Sequence, residues 1–324
     1  MNRKTIVSLL IIAALAIYLV VVNNQDGGNV VDLPEWDNGL DEIVISKQDS
    51  TIKLYKDDGS WVINDQKYNA DPGQVSSMEK KLREMQVTDL ISEKEHYQRY
   101  ELEPGKALHV IARKDGETVR DFYVGKKSPT YQQTYVRIAG KEGIYLASGT
   151  LDTDFNKTVD SLRDKEILKI SKNAIKSMEL TYKGKTLTFN KVKVEKKPAE
   201  SGDDTKKDEK KGDGEKEAEK VQEDRWTCQQ YPGVELDKNQ VTQLTTAFDP
   251  LRAKSFPDMK KEQVSGLLSR VVINAYDKKI TVTVHREYGD NTYLATSSES
   301  EYPFVVDSFR AKKLFKTIGD LKKQ

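Results

Sequence analysis

Histidine is the side chain best suited to proton transfer or metal ligation near neutral pH, and this chain has three, His96, His109 and His285. No two stand in HxH or HxxxH spacing, so local sequence assembles no metal site from them. Cys228 is the only cysteine, which excludes an intrachain disulfide, a multi-cysteine zinc site and a CxxC redox pair. Beside Trp226 in an expected strand it reads as a small apolar residue. Asp152-Thr153-Asp154-Phe155-Asn156 opens as a calcium loop does. Lys157 then stands where that loop turns on glycine, and Arg163 where a glutamate would chelate. Gly184-Lys185-Thr186 resembles the end of a phosphate loop, but Glu179 occupies the place of its first glycine and Thr186 opens a strand rather than a helix. There is no GxSxG elbow, and the carboxylates are too numerous for one pair to stand out. The expectation is a protein that is not an enzyme and carries no cofactor and no metal.

Aromatic side chains are the remaining recognition chemistry. Tyr131, Tyr135, Tyr231 and Tyr293 are candidate stacking groups for a ligand, with core or edge positions as the competing explanation for most of them. Charge points to no nucleic acid: Lys+Arg number 53 against 52 Asp+Glu, a net +1, so no global field attracts a polyanion.

These groups need elements to hold them. With 324 residues, 36% of them hydrophobic, the chain can bury two ordinary cores. Residues 6–22, IVSLLIIAALAIYLVVV, form an uncharged run without Gly or Pro, which predicts a single membrane-spanning anchor. Arg3 and Lys4 precede it, so 1–5 is expected in the cytoplasm and everything after the anchor outside, as a signal-anchor protein. Residues 23–39 read as a polar tether.

From residue 40 the pattern is α+β: two repeated modules, 40–168 and 169–324, each of mostly antiparallel sheet with packed helices. Alternation over 42–55 and a DG turn before Trp61 predict a meander. Asp71-Pro72 then caps a helix carrying Val75, Met78, Leu82 and Met85 on one face. Hairpins follow over 108–124 and 135–146, and a helix over 151–164. The second half replays this order with Trp226 for Trp61, Asp237 for Asp71, and Val241, Leu244, Phe248 and Leu251 at the same helical spacing. Gln240 is placed to complete a capping box with Asp237, and Tyr293 is matched with Tyr135. One segment breaks the symmetry. Residues 193–224 hold nine Lys and twelve acidic residues with no aromatic, which predicts a disordered insertion.

Trp61-Val62-Ile63, Tyr68-Asn69-Ala70-Asp71, Tyr100-Glu101-Leu102-Glu103-Pro104 and Ser161-Leu162-Arg163-Asp164-Lys165-Glu166-Ile167-Leu168 together resemble the domain of unknown function 4340 family of bacterial envelope proteins. Glu101 departs from the glycine common after the aromatic residue there. The resemblance implies an accessory envelope subunit of an ABC transporter of the gliding-motility type, with permease and ATPase subunits as partners. It carries over no binding or catalytic residue. The alternative is an envelope ligand- or polysaccharide-binding module that uses a cleft between the two repeats.

Overall fold

The structure is a computed structural model that describes residues 12–15, 30–37, 39–195 and 222–324. It divides into two compact units, 1–164 and 165–324. In the first, strands β1 (Glu42–Lys47), β2 (Ser50–Asp57), β3 (Ser60–Ile63) and β4 (Tyr68–Asn69) form a meander that ends in helix Pro72–Arg83. The chain continues through β5 (Val87–Ser92), a turn of helix at Tyr97–Tyr100, and β6 (Leu108–Lys114), β7 (Glu117–Lys127), β8 (Gln133–Ile138) and β9 (Ile144–Ser148). All nine strands make one sheet in the order β4-β3-β2-β1-β6-β7-β8-β9-β5.

In the second unit β10 (Glu166–Leu168) pairs with β14 (Leu251–Arg252). The strands β11 (Ile175–Tyr182), β12 (Lys185–Glu195), β13 (Gln222–Cys228), β15 (Ser269–Ala275), β16 (Lys278–Glu287), β17 (Thr292–Ser297) and β18 (Phe304–Asp307) order as β13-β12-β11-β15-β16-β17-β18. That is the order β3-β2-β1-β6-β7-β8-β9 of the first unit.

Each sheet alternates one buried face with one more exposed face, as period-two patterning dictates. Ile43, Ile45, Ile52, Leu54 and Val110 turn inward in the first unit, and Met178, Leu180, Leu187, Phe189 and Ile273 in the second. The helix over each inner face supplies Val75, Met78 and Leu82 or Val241 and Leu244. Both helices are capped by an aspartate. Asp71 Oδ1 accepts from the N–H groups of Gly73 (2.8 Å) and Gln74 (3.1 Å), and Asp237 Oδ1 from Asn239 (2.8 Å) and Gln240 (2.9 Å). Gln240 forms no capping box; its side chain instead accepts from Lys316 Nζ at 3.2 Å.

Two expectations are corrected. The described residues are 43% strand and 19% helix, a predominantly antiparallel β architecture rather than α+β. The reason is local: the single helix expected over 151–164 is two short turns, Leu151–Phe155 and Val159–Leu162. Thr158, in extended conformation, caps the second through Ser161 and so interrupts the run. The helix after Asp237 likewise stops at Thr245 and tightens into a 3₁₀ turn before Asp249-Pro250, because a residue preceding proline is driven out of the α region.

The transmembrane anchor, and with it the signal-anchor assignment, is the other correction. Among the described residues no helix is long and apolar enough to cross a membrane. Of the apolar run only 12–15 is described, as helix, and the remainder of 6–22 lies outside the described residues.

Residues 30–37, expected within the tether, pack on the first unit. Val31 is buried, the Val30 N–H donates to Val87 O at 2.8 Å, and Trp36 lies under the Arg120 guanidinium, 4.5 Å from the ring centre. Arg120 is only 4% exposed and donates to Leu82 O (2.9 Å), Pro34 O (2.5 Å) and Val119 O (2.7 Å). Burial lowers its pKa to about 10. Strands β12 and β13 run into the charged segment as far as Glu195 and Gln222, and 196–221 lies outside the described residues.

Arg120→Leu should lower stability by about 1–3 kcal/mol, the cost of leaving buried carbonyls unpaired, and open 30–37 to protease; urea unfolding and limited proteolysis read both. Asp71→Ala and Asp237→Ala should each cost about 1 kcal/mol in the same assay, the usual value of a helix cap.

Candidate functional site

The four tyrosines expected to stack on a ligand occupy different settings. Tyr131 is 72% exposed, in the turn between β7 and β8. Tyr135 on β8 is half-buried on the outer face of the first sheet, its ring 4.7 Å from that of Tyr100. Tyr293 is buried in the second core, edge-on to Phe315 at 5.3 Å. It therefore points to the opposite face from Tyr135, and the two are not counterparts. Burial and the nearby Glu287 carboxylate raise its pKa. Tyr231, exposed after β13, lines a concavity.

That concavity is the candidate site. It has a volume of about 300 Å³ and is bounded by Tyr182, Lys183, Lys185 and Leu187 of the β11–β12 hairpin, Tyr231, and residues 316–319 at the last helical turn, Ile318–Leu321. The hairpin tip is tight: Lys183 (φ 51°) and Gly184 (φ 72°) both lie in the left-handed region, as a two-residue turn requires. Tyr182 and Lys185 therefore sit directly opposite one another in the ladder.

The Tyr182 ring stacks on Phe315 at 5.4 Å with planes 7° apart, and Phe315 in turn rests on Tyr293. This places a core-anchored aromatic platform at the pocket wall. Leu187 is buried and Ile318 half-buried, which makes part of the lining apolar. Lys183 Nζ lies 5.4 Å from the Tyr182 ring centre. Lys316 is steered by Gln240, and no carboxylate stands among the described lining residues.

Asp320, next in the chain to Gly319 of the lining, accepts from Thr317 Oγ1 (2.6 Å) and Thr317 N (2.7 Å). Those hydrogen bonds, with the charges of Lys316 and Lys183, hold its carboxyl below the usual aspartate range.

A larger concavity in the first unit, about 540 Å³, is lined by Lys47, Lys106, Lys126 and Lys127, but Glu101, Glu103 and Asp152 stand with them. Lys106 pairs with Glu103 at 2.9 Å and Lys127 with Asp152 at 3.5 Å, so two of its four lysines are paired within the lining.

The two strand histidines both have hydrogen-bond partners. His109 Nε2 meets Asp121 Oδ1 at 2.7 Å and its ring stacks on Tyr123 at 4.1 Å. His285 Nδ1 lies 2.7 Å from Gly266 O and Nε2 2.7 Å from Thr296 Oγ1. A carbonyl can only accept, so in the neutral ring Nδ1 carries the proton and Nε2 accepts from the threonine. Among the described residues no group of three His, Cys, Asp or Glu side chains is placed to hold a metal.

The family described as a domain of unknown function (DUF4340) matches residues 61–270, more than half of the chain. The chain belongs to the DUF4340 family. No curated protein and no solved structure matches it. The DUF4340 match opens at Trp61 and runs through Tyr182, Lys183, Lys185 and Tyr231, whereas Phe315, Lys316 and Ile318 lie beyond it. Sequence reasoning singled out Tyr231 and missed its partners. Lys185 figures only within Gly184-Lys185-Thr186 as a phosphate-loop end, Tyr182 carries no motif, and Lys316 lies 85 residues along the chain from Tyr231.

Asp320→Asn should remove an acid-dependent part of stability. The group's folded pKa is depressed, so its contribution is present above the unfolded value and lost as pH falls through the folded one. Urea midpoints of wild type and variant should therefore differ near neutrality and converge in acid.

Proposed function

We propose that this DUF4340 protein is a non-catalytic binding protein of the bacterial envelope, and that it serves as an accessory subunit of an ABC transporter of the gliding-motility type. The observation that carries the binding reading is the preformed pocket of the second unit. There Tyr182 is locked against Phe315, Tyr231 stands on the rim, and three ammonium groups line the same concavity. Concave sites with an apolar part and a few placed polar groups are what small-ligand recognition uses.

Both ring nitrogens of His285 are engaged, by Gly266 O and Thr296 Oγ1, which supports a structural role over acid–base chemistry for that residue. The transporter setting is supported by the family resemblance, and the extracytoplasmic placement by the same setting.

Affinity purification of the tagged protein in mild detergent should recover permease and ATPase subunits in stoichiometric amount. Recovery of the protein alone, under conditions that keep other envelope complexes intact, would remove the transporter reading while leaving the pocket to be tested separately.

A further inference from the structure

The two units allow a comparison that no single pocket does, because their ladders can be matched residue by residue. Ser46 and Thr51 face each other across β1–β2 with hydroxyls 3.1 Å apart, and Thr181 and Thr186 do the same across β11–β12 at 2.9 Å. Asn64 N donates to Lys53 O at 2.8 Å, and Gln229 N to Thr188 O at 2.8 Å. At the far end Asp71 N donates to Leu162 O and Asp237 N to Leu321 O, both at 2.8 Å. Trp61 lies across from Lys56, with the ammonium 5.6 Å from the ring centre, and Trp226 across from Lys191 at 5.4 Å. These anchors hold the same places in both units.

Residues between the anchors then correspond. Tyr182, Lys183, Gly184, Lys185 and Leu187 stand where the first unit has Lys47, Gln48, Asp49, Ser50 and Ile52. Lys316, Thr317, Ile318 and Gly319 stand where it has Lys157, Thr158, Val159 and Asp160. The turn after β3, residues 64–67, contains no aromatic residue, whereas the turn after β13 holds Tyr231.

The apolar and capping positions are kept: Ile52 and Leu187, Thr158 and Thr317, Val159 and Ile318. The changes lie at positions that line the concavity or, for Gly184, stand between two that do. Both carboxylates of the first unit, Asp49 and Asp160, become glycine. Neutral Gln48 and Ser50 become lysines, and the Lys47 position takes a ring. Asp320, at the Ser161 position, is the one acid gained, and its hydrogen bonds go to Thr317.

The first unit's set thus balances Lys47 and Lys157 against Asp49 and Asp160, while the second presents Lys183, Lys185 and Lys316 around two tyrosines. Three point-like ammonium donors select an anion. Exposed faces or edges of Tyr182 and Tyr231 suit a ring. A volume of about 300 Å³ is at the small end of ligand pockets, which fits one or two pyranose rings.

Resting on the binding reading above, we propose that this pocket takes a carboxylate-bearing saccharide, a uronic-acid unit of an acidic polysaccharide, with Lys183, Lys185 and Lys316 around the carboxylate and Tyr182 and Tyr231 against the sugar ring. The first unit, whose matching positions balance two lysines against two aspartates, does not.

The test is titration of the full chain with digalacturonic acid, maltose and inorganic phosphate, followed by calorimetry and by tyrosine resonances. Digalacturonate should bind saturably and perturb Tyr182 and Tyr231. Its affinity should fall about tenfold or more in Lys183→Gln/Lys185→Gln, fall in Tyr231→Ala, and remain in Lys126→Gln on the first unit. Exposed Lys183, Lys185 and Tyr231 can be changed without touching the core, and unchanged urea midpoints would establish that each variant is folded. Maltose binding as tightly as digalacturonate, with no effect of the lysine changes, would overturn the acidic-sugar assignment and leave a binding protein. Phosphate binding at the lysines with no response from either tyrosine would overturn the saccharide. Binding of none of the three would overturn the assignment and the binding reading together, whatever the purification with the transporter shows.

Discussion

Each unit is closed by a reciprocal pair of backbone hydrogen bonds between the approach to its long helix and the end of its last helical turn, with Asp164 N returning to Asn69 O at 2.8 Å and Lys323 N to Glu235 O at 2.9 Å. Asp71 N reaches Leu162 O and Asp237 N reaches Leu321 O, both at 2.8 Å. The same aspartates spend their side chains on the first N–H groups of the helix, so one residue satisfies helix donors on one side of the junction and a carbonyl acceptor on the other. A one-faced antiparallel sheet needs such a closure, because its inner row of Ile, Leu, Met and Phe must be covered by something held at a defined height. Leu162 and Leu321, both fully buried, are the apolar counterparts of the bond.

That closure also sets where a site can form. It brings the last helical turn beside the first hairpin tip, so residues 316–319 and 182–187 share a concavity in the second unit. The hairpin tip and the exposed turn after β13 carry little of the core, and substitution there leaves the sheet intact. Core-facing positions such as Ile52 and Leu187 stay aliphatic, since a buried position accepts a change of volume or polarity only at a cost of some kcal/mol. Charge and aromaticity can therefore diverge between the units at the rim while the scaffold holds. The pocket wall is stiffened from below by Phe315 and Tyr293, which joins the second core to its surface.

Arg120 shows a different use of burial. An arginine carrying its charge into the first unit is costly without hydrogen-bond partners. Three backbone carbonyls and the face of Trp36 meet it. Two of those partners, Pro34 and Trp36, belong to the segment ahead of β1, so the cost is offset only when that segment is docked. The polar, turn-rich composition of 23–39 reads as a tether because the composition does not reveal that an internal arginine waits for its carbonyls.

Period-two alternation, turn residues and helix caps act over a few residues, and these the sequence by itself determined. The meander before Trp61, the hairpins around 108–124 and 271–284, and Asp71 and Asp237 as caps can all be read from spacing. Local pattern misleads where a capping residue competes with helix periodicity, as Thr158 does within 151–164. It is silent on the edge strand β5 and on the β10–β14 pair, whose partners are far away in the chain. Tyr231 was visible as an aromatic residue in a turn, but Tyr293 has the same residue type and lies in the core, because the register of β17 turns it inward. Only the tertiary structure gathers Tyr182, Lys185, Tyr231 and Lys316 into one pocket, since a site made of three distant segments exists only once the closure between helix cap and chain end has formed.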